Sequence, residues 1–314
     1  MLVSISGSVP YAYITNSGSN NVSVIDTATN NITAIVSAST LNNPYGVTVT
    51  PDEKKVYVTN LNGNTVSVIN TTNDTFITTM PVGNGPFGAA VTPDGKKVYV
   101  ANADDGTVSV INTKTNTVTT TVPVGNVPFG VAVTPDGKKV YVTNADDGTV
   151  SVINTKTNTV TNVPVGDGPF GVAVTPDGKN VYVANSYDYP GNVTVINTTT
   201  NTVTDTVLVG TGPSGVAVTP DGASVYVANS DDDTVSVINT AKNRVIATVP
   251  VGFVPRGVTV TPDGKMVYVA NSQNNTVSVI NTAKNRVIAT VPVGTQPIAF
   301  GQFIGNIQMK PKIT

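Results

Sequence analysis

The chain has no histidine, no cysteine and no tryptophan, and Glu53 is the only glutamate among its nineteen acidic residues. Without histidine there is no imidazole base and no Ser-His-Asp triad, and without cysteine there is no thiolate nucleophile, disulfide framework or Cys-bound zinc. Any chemistry must rest on Asp, Lys, Arg, Tyr or Ser. Charge is also scarce: 11% of residues are charged, less than half the average of about 25%, so Thr, Asn and Ser must supply the polar surface. A formal net charge of −2 gives no footing for nucleic-acid or polybasic membrane binding.

Apolar runs are short, well under the roughly 20 residues needed to cross a bilayer. Met1-Leu2-Val3-Ser4 has neither a basic start nor an apolar stretch behind it, so no secretory leader is visible. The chain is then either cytoplasmic or already processed.

What is present is repetition. The tetrapeptide Tyr-(Val/Ile)-(Thr/Ala)-Asn ends at Asn16, Asn60, Asn102, Asn144, Asn185, Asn229 and Asn271, at intervals of 44, 42, 42, 41, 44 and 42 residues. Each copy adds a Pro-x-Gly segment, a Thr-Pro-Asp-Gly turn or close variant, a Thr-Val-Ser-Val-Ile segment and a Thr/Val-rich run, typically ending Val-Pro-Val-Gly. Short runs of Val, Thr, Tyr and Ile between Gly, Pro, Asp and Asn read as strands, four to a repeat. Pro135 presets φ and Gly137 accepts positive φ, which predicts a type I turn with a bulge and antiparallel neighbours.

One such unit cannot bury both of its faces, so it must stack on copies of itself. A linear solenoid would need dissimilar caps, whereas here the two ends complement each other. The chain opens on a second-strand motif, Tyr11 to Asn16, and closes on a first-strand fragment, Pro297 to Gly301. The expectation is an all-β, seven-bladed propeller with four antiparallel strands per blade, closed by the last strand completing the first blade. It predicts one domain over residues 1–314, with repeats from about 11 to 304 and a tail at 305–314. Prolines at 81, 123, 164, 250 and 292 fall in the outermost strand, where a missing N–H blunts the edge; Leu208 is the exception.

Tyr57-Val58-Thr59-Asn60 and Tyr141-Val142-Thr143-Asn144 spell YVTN literally. Over residues 11 to about 304 the chain resembles the YVTN-family β-propeller, the repeat module of methanogen surface-layer proteins. The resemblance implies an archaeal cell-surface or extracellular protein, with further domains responsible for anchoring. Sequons at Asn21, Asn31, Asn70, Asn73, Asn192, Asn197 and Asn274 suit a glycosylated surface protein, although a chain this rich in Asn and Thr forms them by chance.

Three sets of candidate site residues follow. If the loops entering the first strand and those joining the second to the third share a face, that face holds Asp104, Asp105, Asp146, Asp147, Asp167, Asp188, Asp231, Asp232 and Asp233 against Arg256 alone. The opposite face is net basic. Asp104, Asp105, Asp146, Asp147 and Asp231 to Asp233 are candidate Ca²⁺ ligands, without EF-hand spacing; Asp and Gly also serve ordinary turn chemistry. Around the channel mouth the residue after each first-strand proline reads Ile298, Tyr45, Phe87, Phe129, Phe170, Ser214 and Arg256. This is an apolar arc facing a cation, fit for a small anionic or amphipathic ligand or for packing between blades, with Arg256 paired to the Asp231 to Asp233 loop. An insertion in the fifth blade offers Tyr187 and Tyr189 as contact residues.

The leading expectation is a non-enzymatic structural or interaction module, because near-identical blades supply few unique groups. Its partner would be a protein or cell-envelope component on the acidic face, with no nucleic acid, no required cofactor and Ca²⁺ as the sole metal candidate. The rival is a lactonase- or esterase-like hydrolase, or another propeller enzyme, centred on Arg256, Ser214, Asp167 and Asp232. Fold analogy licenses no more than that.

Overall fold

The computed structural model describes residues 10–305. They form seven sheets around a central axis, each antiparallel with its strands in sequence order. Blade 4 shows the pattern: Pro128–Val133 lines the axis, followed outward by Lys139–Asn144, Thr149–Asn154 and Val160–Pro164. Blades 2, 3, 5, 6 and 7 begin at Pro44, Pro86, Pro169, Pro213 and Pro255. Blade 1 supplies Tyr11–Asn16, Asn21–Asp26 and Asn31–Ser37. Blades are numbered here in that order. Besides Leu208, Ser37 also ends an outer strand without proline.

The repeated turn folds as its residues dictate. In blade 4 Gly137 has φ 69° and its N–H bonds Thr134 O at 2.8 Å. The Thr134 hydroxyl donates to Asp136 Oδ1 at 2.7 Å, and Asp136 also accepts from the Lys138 N–H at 3.0 Å. The core lies in the seams. Tyr57, Val66 and Val68 of blade 2 pack with Val98, Val100 and Ile111 of blade 3, all fully buried. Each buried valine contributes roughly 1.5–3 kcal/mol, so stability comes from stacking neighbours, as a repeat unit unable to bury both faces requires.

Each residue of the tetrapeptide has a separate task. Its tyrosine reaches across the seam: Tyr57, Tyr141, Tyr182 and Tyr226 donate to Asn116, Asn201, Asn243 and Asn285 Oδ1 at 2.8, 3.0, 2.8 and 2.9 Å. Those acceptors sit with positive φ in the turn joining the third and fourth strands of the next blade. The terminal asparagine staples its own blade; Asn144 Nδ2 donates to Thr149 Oγ1 and Ser151 Oγ at 3.0 and 2.9 Å.

Closure pairs residues 297–304 with Tyr11–Asn16, as the two ends predict. Asn16 bridges Pro297 and Ala12 bridges Ile304, both antiparallel. The closing segment is not a regular first strand, however. In blade 4 the pairing advances from Pro128↔Asn144 to Val133↔Val140, while the closing segment needs two extra residues to reach the equivalent partner. The surplus bulges inward: Val47 N–H bonds Phe300 O at 3.0 Å and Val49 N–H bonds Gln302 O at 3.2 Å, tying it to blade 2.

Candidate functional site

The channel mouth is built on a ring of glycines. A Cβ on Gly46, Gly88, Gly130, Gly171, Gly215 or Gly257 would lie 2.0–2.4 Å from a carbonyl oxygen of the neighbouring inner strand, closer than real contacts allow. The glycine of Pro-x-Gly is therefore what lets seven inner strands converge. The preceding residues then crowd over the axis. Tyr45 and Phe87 have ring centroids 4.0 Å apart, Phe87 and Phe129 4.4 Å, and Phe129 and Phe170 4.6 Å. Phe300, carried in by the closing bulge, meets Phe170 edge-on at 5.1 Å.

The arc expected to wall an open funnel thus collapses on itself and plugs the mouth. A cavity of about 30 Å³ remains among Gly88, Gly130, Gly171, Gly215, Gly257 and Gly301, and a larger one of about 250 Å³ lies farther along the axis beside Thr48, Thr259 and Gln302. Phe300 was missed in the sequence reading. Its signal was the displaced glycine: Gly301 follows Pro297 by four residues, where the sibling segments space Pro and Gly by two.

Ser214, Arg256, Asp167 and Asp232 do not form a constellation. Ser214 is 1% exposed, and its Oγ lies within hydrogen-bond reach of the carbonyls of Ala228, Pro255 and Arg256 at 3.3, 3.1 and 3.2 Å. Asp232 accepts the Thr211 N–H at 2.6 Å, and the Asp167 N–H donates to Asp188 Oδ1 at 3.2 Å. Arg256 makes no ion pair with the Asp231 to Asp233 loop among the described residues; the ion pairs found are Lys96–Asp94, Lys138–Asp136, Lys179–Asp177 and Lys265–Asp263. It stands instead within electrostatic reach of Tyr45, whose phenol burial raises and Arg256 lowers.

The grouping of loops by face holds. Asp105 accepts from Asn84 N and Nδ2 at 2.7 and 2.9 Å, and Asp147 from Asn126 N and Nδ2 at the same distances, so the entering loop and the second-to-third loop of each blade are stapled together. Asp233 accepts the Val254 N–H at 2.9 Å, and Asp231 the Ser230 hydroxyl at 2.9 Å. Asp104 packs over Gly85. Among the described residues no three carboxylates, those of Asp104, Asp105, Asp146, Asp147 and Asp231 to Asp233 included, converge to hold a metal ion. Tyr187 packs on Gly168 but stays 68% exposed, and Tyr189 is 89% exposed. Phe253, in the loop entering blade 7 on the same face, is exposed too.

These features define a seven-bladed β-propeller, and comparisons with known proteins agree. A family model described as "Lactonase, 7-bladed beta-propeller" matches residues 186–288, and one described as "YNCE-like beta-propeller" matches residues 56–139 and 75–166. Comparison with curated proteins finds no match. Among solved structures, Kuenenia stuttgartiensis hydrazine synthase superposes with a TM-score of 0.79 at 25% identity, covering 86% of this chain and 92% of that one. A 6-phosphogluconolactonase candidate from Bacteroides uniformis gives 0.77 at 19% identity, covering 95% and 99%. A protein of unknown function from Desulfotomaculum acetoxidans gives 0.78 at 17%, covering 92% and 99%. No helix among the described residues is long and apolar enough to cross a membrane.

Proposed function

We propose that this propeller is a non-catalytic interaction module of the cell surface, presenting its Asp-rich face to a basic protein or cell-envelope partner. One observation carries the reading: the channel mouth, where propeller enzymes would gather their groups, is filled by Phe87, Phe129, Phe170 and Phe300, and Ser214 is buried with its hydroxyl against three backbone carbonyls. The acidic face offers the complementary asset. It combines a one-signed field, which steers oppositely charged partners, with exposed Tyr187, Tyr189 and Phe253, the residue types that anchor contacts. The surface location is supported by the YVTN resemblance. The test is binding of a lysine-rich peptide across ionic strength: affinity should fall with salt and with Asp232→Asn combined with Tyr189→Ala, and salt-insensitive binding or none would overturn the reading.

A second reading, lactone hydrolysis, is favoured by the match over residues 186–288, a span that contains Ser214 and Arg256. Turnover of a 6-phosphogluconolactone substrate that is abolished by Arg256→Ala would replace the first reading with this one.

A further inference from the structure

The outer strand of blade 1 is an unguarded sheet edge. Among the described residues Asn31–Ser37 pairs with Asn21–Asp26 on one side and with no strand on the other, where its ladder N–H and C=O groups are left over. A free edge invites a further strand unless proline or charge blunts it. Five sibling edges end in proline, at 81, 123, 164, 250 and 292, and the sixth, Thr202–Leu208, carries Asp205. Of the described outer strands, Asn31–Ser37 alone has neither.

Its side chains make the edge adhesive as well as open. Ile35 pairs with Ser23; at the same register the siblings place Thr79, Thr121, Thr206, Thr248, Thr290 and Asn162. Ile35 is 60% exposed. Thr33 is the extra residue of a bulge, because Ile25 pairs with Ile32 and Val24 with Ala34. Ser23 and Ile25, two apart on their strand, share a face, so their partners Ile35 and Ile32 do too, and Ile32 is also exposed. Beyond the bulge residues 34–37 run in regular register. Ser37 stands where the siblings have proline, and Pro81 and Pro123 hold their places opposite Thr65 and Thr107 without an N–H. The N–H at that position therefore serves no bond inside the blade. It points outward, as does that of Ile35 two residues earlier.

We propose that a second copy of this chain docks on this edge, the two outer strands pairing antiparallel about a two-fold axis at Ile35. Charge placement favours that sense. The Asn31 end of the strand leaves a turn on the net-basic face, and the Ser37 end runs into the loops of the Asp-rich face. An antiparallel pair sets the acidic rim of one copy beside the basic rim of the other, whereas a parallel pair would set like rims together. A net charge of −2 leaves little overall repulsion between copies. The two-fold makes every contact twice, with Ile35 opposite the second copy's Ile35 and outward N–H and C=O groups exchanged between the strands. One short strand per copy is a small interface, below about 1,200 Å², so the dimer dissociates on the order of 100 μM. Both Asp-rich faces stay outside the contact, and the outcome is independent of the reading of that face.

Sedimentation velocity between about 3 and 300 μM, a range bracketing that dissociation constant, tests the proposal. The wild type should move from monomer to dimer across it. Ile35→Thr and Ser37→Pro install the residues of the sibling edges, and each should weaken association about tenfold or more with little change in melting temperature. Ile246→Thr is the control: Ile246 is 50% exposed on an edge guarded by Arg244 and Pro250, and its loss should leave the dimer intact. Ile35→Cys checks the axis. The chain has no cysteine, so any disulfide then joins two copies, and residues paired across antiparallel strands lie about 4.5–5.5 Å apart at Cα, within disulfide reach. Mild oxidation should link Ile35→Cys into dimers and leave Ile246→Cys monomeric. A protein monomeric throughout, a dimer indifferent to either edge substitution, or equal linking of the two cysteine variants would overturn the proposal.

Discussion

The phenol of Tyr141 donates to Asn201 Oδ1 at 3.0 Å across sixty residues of sequence, joining blade 4 to blade 5. Its counterpart Tyr99, in the same motif and equally buried, makes no such bond among the described residues.

That contrast yields a paired experiment. Tyr141→Phe should lose about 1–2 kcal/mol, since it removes a hydrogen bond and leaves a carboxamide oxygen poorly satisfied. Tyr99→Phe should be neutral or slightly stabilising. Urea denaturation of the two variants checks this; equal losses would show that the Tyr99 hydroxyl is bonded after all.

Gly130 tests the geometry of the mouth. Its Cβ would fall 2.4 Å from Phe170 O, a contact with rigid backbone, and Gly130→Ala should cost about 2–3 kcal/mol by overpacking. Gly95→Ala is the control for backbone strain without a clash: its Cβ would meet only Pro51 at 3.6 Å, but its φ is +70°. A Gly130→Ala protein melting with the wild type would mean the inner strands are free to spread.

Stability should have two pH limbs with a plateau between them. The Thr134 hydroxyl and the Lys138 N–H hold Asp136 down to about 2 from 3.8, and Asp94, Asp177 and Asp221 are lowered by their equivalents. These contributions are complete above the unfolded carboxylate value and lost as pH falls from about 4 toward 2. Burial pushes Tyr141, Tyr182 and Tyr226 from 10.0 up to about 12, so their contribution is complete below pH 10 and lost as pH rises from 10 to 12. Denaturation midpoints against pH should show both limbs, with the acid limb shallower in Asp136→Asn.

Calcium should change little. The carboxylates of Asp105, Asp147 and Asp232 are engaged with backbone N–H groups of the adjoining loop, and no trio converges among the described residues. Melting curves with excess CaCl₂ and with EDTA at matched ionic strength should coincide; a shift of several degrees, lost in Asp232→Asn, would restore the metal reading.

Much of the architecture was legible in residue order. The 42-residue period, the turn chemistry of Thr134 to Gly137 and the complementary ends gave seven blades and the closing partner, because each is a local property or a count. Even the shortened outer strand of blade 4 left a trace, the single interval of 41 residues between Asn144 and Asn185. The mouth was harder. Residue order names the position after each first-strand proline but not Phe300, and whether the aromatics stand apart or fall together depends on inner-strand spacing, which glycines of the adjacent blades set.

By itself, then, the sequence determined the fold type, the blade number and the two chemically distinct faces, since strand propensity, turn residues and charge placement act over a few positions. Only the tertiary structure decided which donors find acceptors. Tyr57 meets Asn116 across the seam and Tyr99 meets no acceptor among the described residues, and the outer strand of blade 4 that follows Tyr99 lacks the register shift its sibling in blade 3 has. Likewise Phe300 reaches Phe170 because two surplus residues in the closing strand have nowhere to go except toward the axis.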